Sequence, residues 1–238
     1  MDDFQTTRWS LVLEARGAET RSRRALEALC RTYRAPVVAY IGRSGALAAD
    51  VEDLAQTFFT RFVDRAFHEQ ADPARGRFRA FLLTALKNFL IDAHGHAHAI
   101  KRGGHVMIQS MDSAISGNGG SDDLVDAETP EQVFDRAWAQ AVLHAALRKL
   151  RREANDAGKS QLFDALSEFL IERPDEADYA RVAADLGMRR NTLAVAVHRM
   201  RNRLRELVYR ELAETAANDA DLQQEMAHLS HSLGALLE

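Results

Sequence analysis

The sequence predicts an all-α chain: two helical domains joined by a flexible linker, with a helix-turn-helix in the C-terminal one. Three observations predict it. Apolar residues recur at helical rather than alternating spacing along nearly every structured stretch. A segment rich in Ser, Gly and Asp, 105–129, has no apolar period and reads as a linker of poor order. Tyr179 to Leu207 reads as two short helices around a tight turn. The expected boundaries are 1–104 for the N-terminal domain, 105–129 for the linker, 130–214 for the C-terminal domain and 215–238 for a helical extension.

Composition narrows the classes. The chain has 238 residues, 46% hydrophobic and 28% charged, which is ordinary globular usage with room for two small cores. A net charge of -4 makes general nucleic-acid affinity weak for the whole molecule, so a DNA role needs help from a partner. Cys30 is the single cysteine: it excludes an intrachain disulfide and a cysteine-built zinc site, and reads as a buried small apolar residue in a reducing compartment. No apolar run approaches a membrane span, and Asp2 and Asp3 stand where a secretory signal would carry positive charge. The expected compartment is the cytoplasm, with no membrane partner.

In the N-terminal block, Trp9, Leu11 and Val12, then Leu26, Leu29, Tyr33, Val37, Tyr40 and Ile41, predict a short helix followed by a longer one that Pro36 should bend or divide. Asp50 can cap the next helix, with Glu52 and Asp53 in its first turn where the helix dipole favours acids. Val51, Leu54, Ala55, Phe58 and Phe62 form its buried face. Asp53, Gln56, Thr57, Thr60, Arg61 and Asp64 form a continuous polar stripe, a pattern that usually means a solvated surface. After a loop holding Asp72, Pro73 and Gly76, a third helix from about Arg77 buries Phe78, Phe81, Leu82, Leu86 and Phe89. Arg79, Thr84, Lys87, Asn88 and Asp92 lie wholly or partly outside that face.

Beyond the linker, Thr129 and Pro130 start a helix as N-cap and first-position proline, with Glu131 in the first turn. A further helix carries Leu162, Leu166, Phe169 and Leu170. Tyr179, Val182, Ala183 and Leu186 then give one short amphipathic helix, which Gly187 stops because glycine takes the left-handed backbone at little cost. A second follows with Leu193, Val197, Met200 and Leu204 inward. Its outer side offers Thr192, Val195, His198, Arg199 and Arg201, preceded by Arg189, Arg190 and Asn191. Small and polar residues there can approach base edges while arginines hold phosphates. The bland alternative is a helical hairpin with a solvated arginine face. A last amphipathic piece, with Leu222, Met226, Leu229, Leu233 and Leu236, reads first as a contribution to a core.

Together these blocks resemble the extracytoplasmic-function sigma factors of bacterial RNA polymerase. Asp53-Leu54-Ala55-Gln56-Thr57-Phe58-Phe59 resembles the family's polymerase-binding helix. Arg77-Phe78-Arg79-Ala80-Phe81-Leu82 with Lys87-Asn88-Phe89-Leu90-Ile91-Asp92 resembles its promoter-melting helix, and Val182 to Leu204 its upstream-element reader. Thr7 to Leu13 is also similar to the opening of one large subgroup. The resemblance implies a non-enzymatic factor without cofactor or metal, whose partners are core RNA polymerase and promoter DNA. It implies that Asp53, Gln56, Thr57 and Arg61 face the polymerase clamp. Arg77, Arg79, Lys87, Asn88 and Asp92 would then work on the minus-ten element, with the loop from Ala66 to Gly76 capturing an extruded base. Arg189, Arg190, Asn191, Thr192, Val195, His198, Arg199 and Arg201 would dock in the minus-thirty-five major groove.

The chain departs from the family at Thr57, where an acid is usual after the glutamine. Losing that carboxylate weakens contact with a basic partner, and a phosphate on Thr57 would restore about -1.5 to -2 charge. This is similar to a subgroup linked to serine/threonine kinases and makes Thr57 a candidate phosphorylation switch; the alternative is that Asp53 and Asp64 suffice. His94 and His98 share a helical face at metal-binding spacing, but Gly95 and the lack of a carboxylate in register favour surface residues near DNA phosphates. A free-standing helix-turn-helix regulator with an N-terminal sensor or dimerisation domain fits the C-terminal half equally well, but leaves the Asp53 to Asp92 matches as coincidence. A histidine-based metal hydrolase lacks any paired acid and base.

Overall fold

Pro36 sits inside a helix that continues past it. In the computed structural model, which describes residues 19–68, 77–101, 128–172, 174–216 and 218–233, helix α1 spans Glu19–Arg43 with Pro36 within it. The expected division does not occur. Tyr33, Val37, Tyr40 and Ile41, on both sides of the proline, are all buried. At about 1.5–3 kcal/mol each, that burial outweighs the roughly 3 kcal/mol an interior proline costs.

The other elements are also helical: α2 Val51–His68, α3 Phe78–Lys101, α4 Pro130–Asp156, α5 Ser160–Leu166, α6 Glu176–Asp185, α7 Arg190–Ala213 and α8 Asp219–Leu233. No strand occurs among the described residues. Helix α4 starts as its sequence predicts. Thr129 Oγ1 accepts from Gln132 N at 3.2 Å while Gln132 Oε1 accepts from Thr129 N at 2.7 Å, with proline at the first position. The single helix expected through Leu162 to Leu170 is instead α5 followed by a 3-10 turn, Glu168–Leu170. That tighter turn presents the carbonyl of Phe169 to an arginine described below.

Two cores organise these helices. The larger draws Leu26, Tyr33 and Val37 from α1, Phe58 and Phe62 from α2, and Phe78, Leu82 and Leu86 from α3. It continues without a break into Phe134, Trp138 and Val142 of α4, Leu204, Leu207 and Leu212 of α7, and Leu222 and Leu229 of α8. The Trp138 indole donates from Nε1 to the Tyr33 hydroxyl at 3.1 Å, so the largest buried side chain is satisfied across the seam. The smaller core joins Leu166, Phe169, Val182, Ala183, Leu193 and Val197, and Met200 touches both. The apolar face of α8 is thus a core contribution, as its spacing suggests. The opening Thr7 to Leu13 and nearly all of 105–129 lie outside the described residues.

Candidate nucleic-acid and partner surfaces

Helix α2 buries one side and displays the other. Ala55, Phe58 and Phe62 are buried, and Phe58 meets Phe59, Phe62 and Phe89 at ring separations of 5.2 to 5.6 Å. This aromatic contact fixes the rotation of the helix, so Asp53, Gln56, Thr57 and Arg61 fall on the exposed side. The Arg61 guanidinium lies over the Phe89 ring at 5.6 Å, which holds it at the surface in a defined position.

Helix α3 divides its predicted residues in two. Asn88 and Asp92 are exposed, beside an exposed Ile91. Arg77, Arg79 and Lys87 are engaged by carboxylates of α4 and α8. Arg79, expected at least partly outside the buried face, is only 7% exposed. Its Nη1 donates to Asp135 Oδ1 at 2.5 Å, its Nε sits 3.2 and 3.3 Å from the two oxygens of Glu225, and its guanidinium lies 4.9 Å from the Trp138 ring. Arg77 Nη1 stands 3.2 Å from Glu225 Oε1. Lys87 Nζ reaches Glu131 Oε1 at 2.8 Å, and the same carboxylate accepts from the Tyr40 hydroxyl at 3.2 Å.

The electrostatics follow from these partners. The hydrogen bond from Lys87 holds the Glu131 carboxyl below its ordinary range. Burial, reinforced by the Glu131 charge, pushes the Tyr40 hydroxyl up to about 12. Burial, then the Glu225 carboxylate, raises the Tyr33 hydroxyl. His228 packs on Trp138 with ring centroids 5.7 Å apart, and its Nε2 lies 2.9 Å from Asp135 Oδ2 without the direction of a hydrogen bond. The sequence reading passed over Glu131, Asp135 and Glu225 as binding partners. Glu225 carried a signal: it falls on the apolar stripe between Leu222 and Leu229, where a carboxylate needs a partner.

Helices α6 and α7 meet through a short turn whose Gly187 has φ +62°, the left-handed backbone the sequence called for. Asp175 caps α6 in a reciprocal box with Asp178. With Val182 and Ala183 packed on Leu193 and Val197, the leading end of α7 points outward. Arg189, Arg190, Asn191, Thr192, Val195, His198 and Arg199 are all exposed there. Arg190 pairs with Glu176 at 2.9 Å, and His198 Nε2 is 3.1 Å from Asn202 Nδ2. Arg201 is the exception. Its guanidinium donates to the Phe169 carbonyl at 2.6 and 2.9 Å and to the Glu172 carbonyl at 2.9 Å, so it closes the 3-10 turn and does not join the outward set.

The histidine-rich end of α3 stays helical to Lys101, with His94 exposed; the side chains of His96 and His98 lie outside the described residues, as does most of the loop Ala66 to Gly76. Among the described residues no cluster of three or more His, Cys, Asp or Glu could hold a metal, and no helix is long and apolar enough to cross a membrane.

Residues 29–98 match the family described as Sigma-70 region 2, a match that supports a sigma-70 family sigma factor. The match supports a sigma factor role in transcription initiation, which involves core RNA polymerase and promoter DNA. No curated protein and no solved structure matches the chain.

Proposed function

We propose that the protein is an extracytoplasmic-function type sigma factor in which 1–104 binds polymerase and the minus-ten element, 105–129 tethers, and 130–214 reads the minus-thirty-five element as a helix-turn-helix, with 215–238 as an extension. The observation that carries this reading is the exposed stripe Asp53, Gln56, Thr57 and Arg61 within the matched segment, fixed in direction by the aromatic contacts beneath it. Asn88 and Asp92, with Arg77, Arg79 and Lys87 when released, work on the minus-ten strand. Arg189, Arg190, Asn191, Thr192, Val195, His198 and Arg199 enter the upstream major groove, where the exposed Val195 offers an apolar contact for a thymine methyl. Run-off transcription with purified core polymerase tests the reading: promoter-dependent transcripts are expected only with both components. A chain that binds promoter DNA equally well without polymerase is a free-standing regulator instead.

Thr57 belongs to the same reading. Its exposed hydroxyl on the partner-facing stripe is accessible to a serine/threonine kinase, and a phosphate there supplies the negative charge that the neighbouring Asp53 alone provides only in part. Polymerase binding by wild type, Thr57→Ala and Thr57→Glu decides this. The glutamate variant is expected to bind most tightly, and equal binding by all three removes the switch.

A further inference from the structure

Three cations on and just before α3 meet three carboxylates of α4 and α8: Arg77 and Arg79 meet Glu225, Arg79 meets Asp135, and Lys87 meets Glu131. A guanidinium pairs with a carboxylate through the same fork that it uses for a phosphate. Glu225 has no exposed surface, although it rides on the apolar side of α8. A carboxylate so placed carries a large desolvation penalty that an apolar residue would avoid. Arg77, Arg79 and Lys87 lie in the segment matched to region 2, while the carboxylates lie outside it, on α4 and α8.

Reach points the same way. Elements named for positions minus ten and minus thirty-five are separated by about 25 base pairs, or roughly 85 Å of duplex at ~3.4 Å each. A compact chain of this length has a radius of gyration of only about 18 Å. Here the tail of α7, which continues directly from the proposed reading end, packs in one core with α1 and α3. The described arrangement is therefore a closed form that cannot span both elements.

We infer that Glu131, Asp135 and Glu225 act as an internal phosphate mimic, with α8 and the start of α4 forming a lid that holds the free chain shut over its minus-ten cations until core polymerase separates the halves. This rests on α3 being the minus-ten helix. It assigns the C-terminal extension a role as an autoinhibitory segment that competes with the promoter strand.

The test uses full-length protein without polymerase and fluorescein-labelled single-stranded DNA of mixed sequence, titrated across a salt series. Glu225→Gln is expected to bind about threefold more tightly than wild type, and its log affinity against log salt should steepen by about 0.7, because Arg77 is freed for one phosphate contact while Arg79 stays with Asp135. Glu131→Gln, at a half-exposed pair that does not threaten folding, should tighten binding about threefold and steepen the slope by about 0.7. If Glu225→Gln loses its helical circular dichroism, Glu131→Gln decides alone. Wild-type slopes and affinities in the folded variants overturn the lid. A second measurement needs no variant: amide exchange in 219–233 should quicken when core polymerase is added, and unchanged protection in a formed complex overturns the inference. Failure of the sigma factor reading looks different, because neither wild type nor Glu131→Gln would then direct run-off transcripts, whatever the slopes.

Discussion

The guanidinium of Arg79 lies over the indole of Trp138 at 4.9 Å, and both side chains are buried. One comes from the matched region 2 segment and the other from α4. Arg79 thereby satisfies Asp135 and Glu225 while its plane covers an aromatic face, and Trp138 in turn donates to Tyr33. Removing the arginine leaves the buried Glu225 with Arg77 as its one remaining ion-pair partner and takes the guanidinium from Asp135. Arg79→Ala is expected to destabilise the chain by about 3–5 kcal/mol, the range for breaking one side of a buried ion pair. Urea denaturation followed by far-UV circular dichroism checks this; a loss below about 1 kcal/mol would mean that Glu225 finds water or another partner.

Arg201 is expected to behave oppositely to its neighbours. Because it donates to the Phe169 and Glu172 carbonyls, Arg201→Ala should lower stability by about 1–3 kcal/mol while leaving upstream-element discrimination intact. Arg199→Ala, at an exposed position, should leave stability within about 0.5 kcal/mol of wild type and weaken DNA binding with polymerase. Paired denaturation and footprinting measurements separate the two, and a specificity change in Arg201→Ala would reverse the assignment.

Burial, then the nearby Glu27 charge, pushes the Cys30 thiol up to about 12, so almost no thiolate forms at neutral pH. Iodoacetamide should leave native protein unmodified at pH 7.5 and label it quantitatively in urea. Rapid labelling without denaturant would show that α1 opens locally around Leu29 and Tyr33.

The Glu131 carboxyl is held below its ordinary value of 4.5, first by the hydrogen bond from Lys87. A depressed carboxyl contributes stability that is present above its unfolded pKa and lost as pH falls through the lower folded one. Wild type should therefore be more stable than Glu131→Gln at pH 7, with the gap closing progressively below pH 4.5. Urea midpoints of both proteins across that range check the sign, and a gap that widens on acidification would contradict it.

Much of this was legible in the chain itself. Helical periodicity placed the buried faces of α2, α3, α6 and α7, and the Thr129-Pro130 start of α4 formed as its chemistry dictates. Gly187 turned where only a residue tolerant of positive φ turns cheaply. What periodicity could not give was which faces meet. Arg79 sits among Phe78, Phe81 and Leu82, and Glu225 among Leu222, Met226 and Leu229, so each polar residue in an apolar stripe announced a buried partner without naming it. The pairing spans 146 residues of chain and depends on tertiary packing alone. Of the bend or division expected at Pro36, the division does not occur, because residues on both sides of it are buried together.

Because Phe134 and Trp138 complete a core begun by α1, a junction for building hybrids placed between α3 and α4 would cut through one core. A chimera joined there would give the front half of one factor a back half whose aromatic plugs were shaped for another. A better exchange point lies near Met200, where the two apolar clusters touch, so that the smaller cluster can be swapped while the plugs stay with the surface they fill.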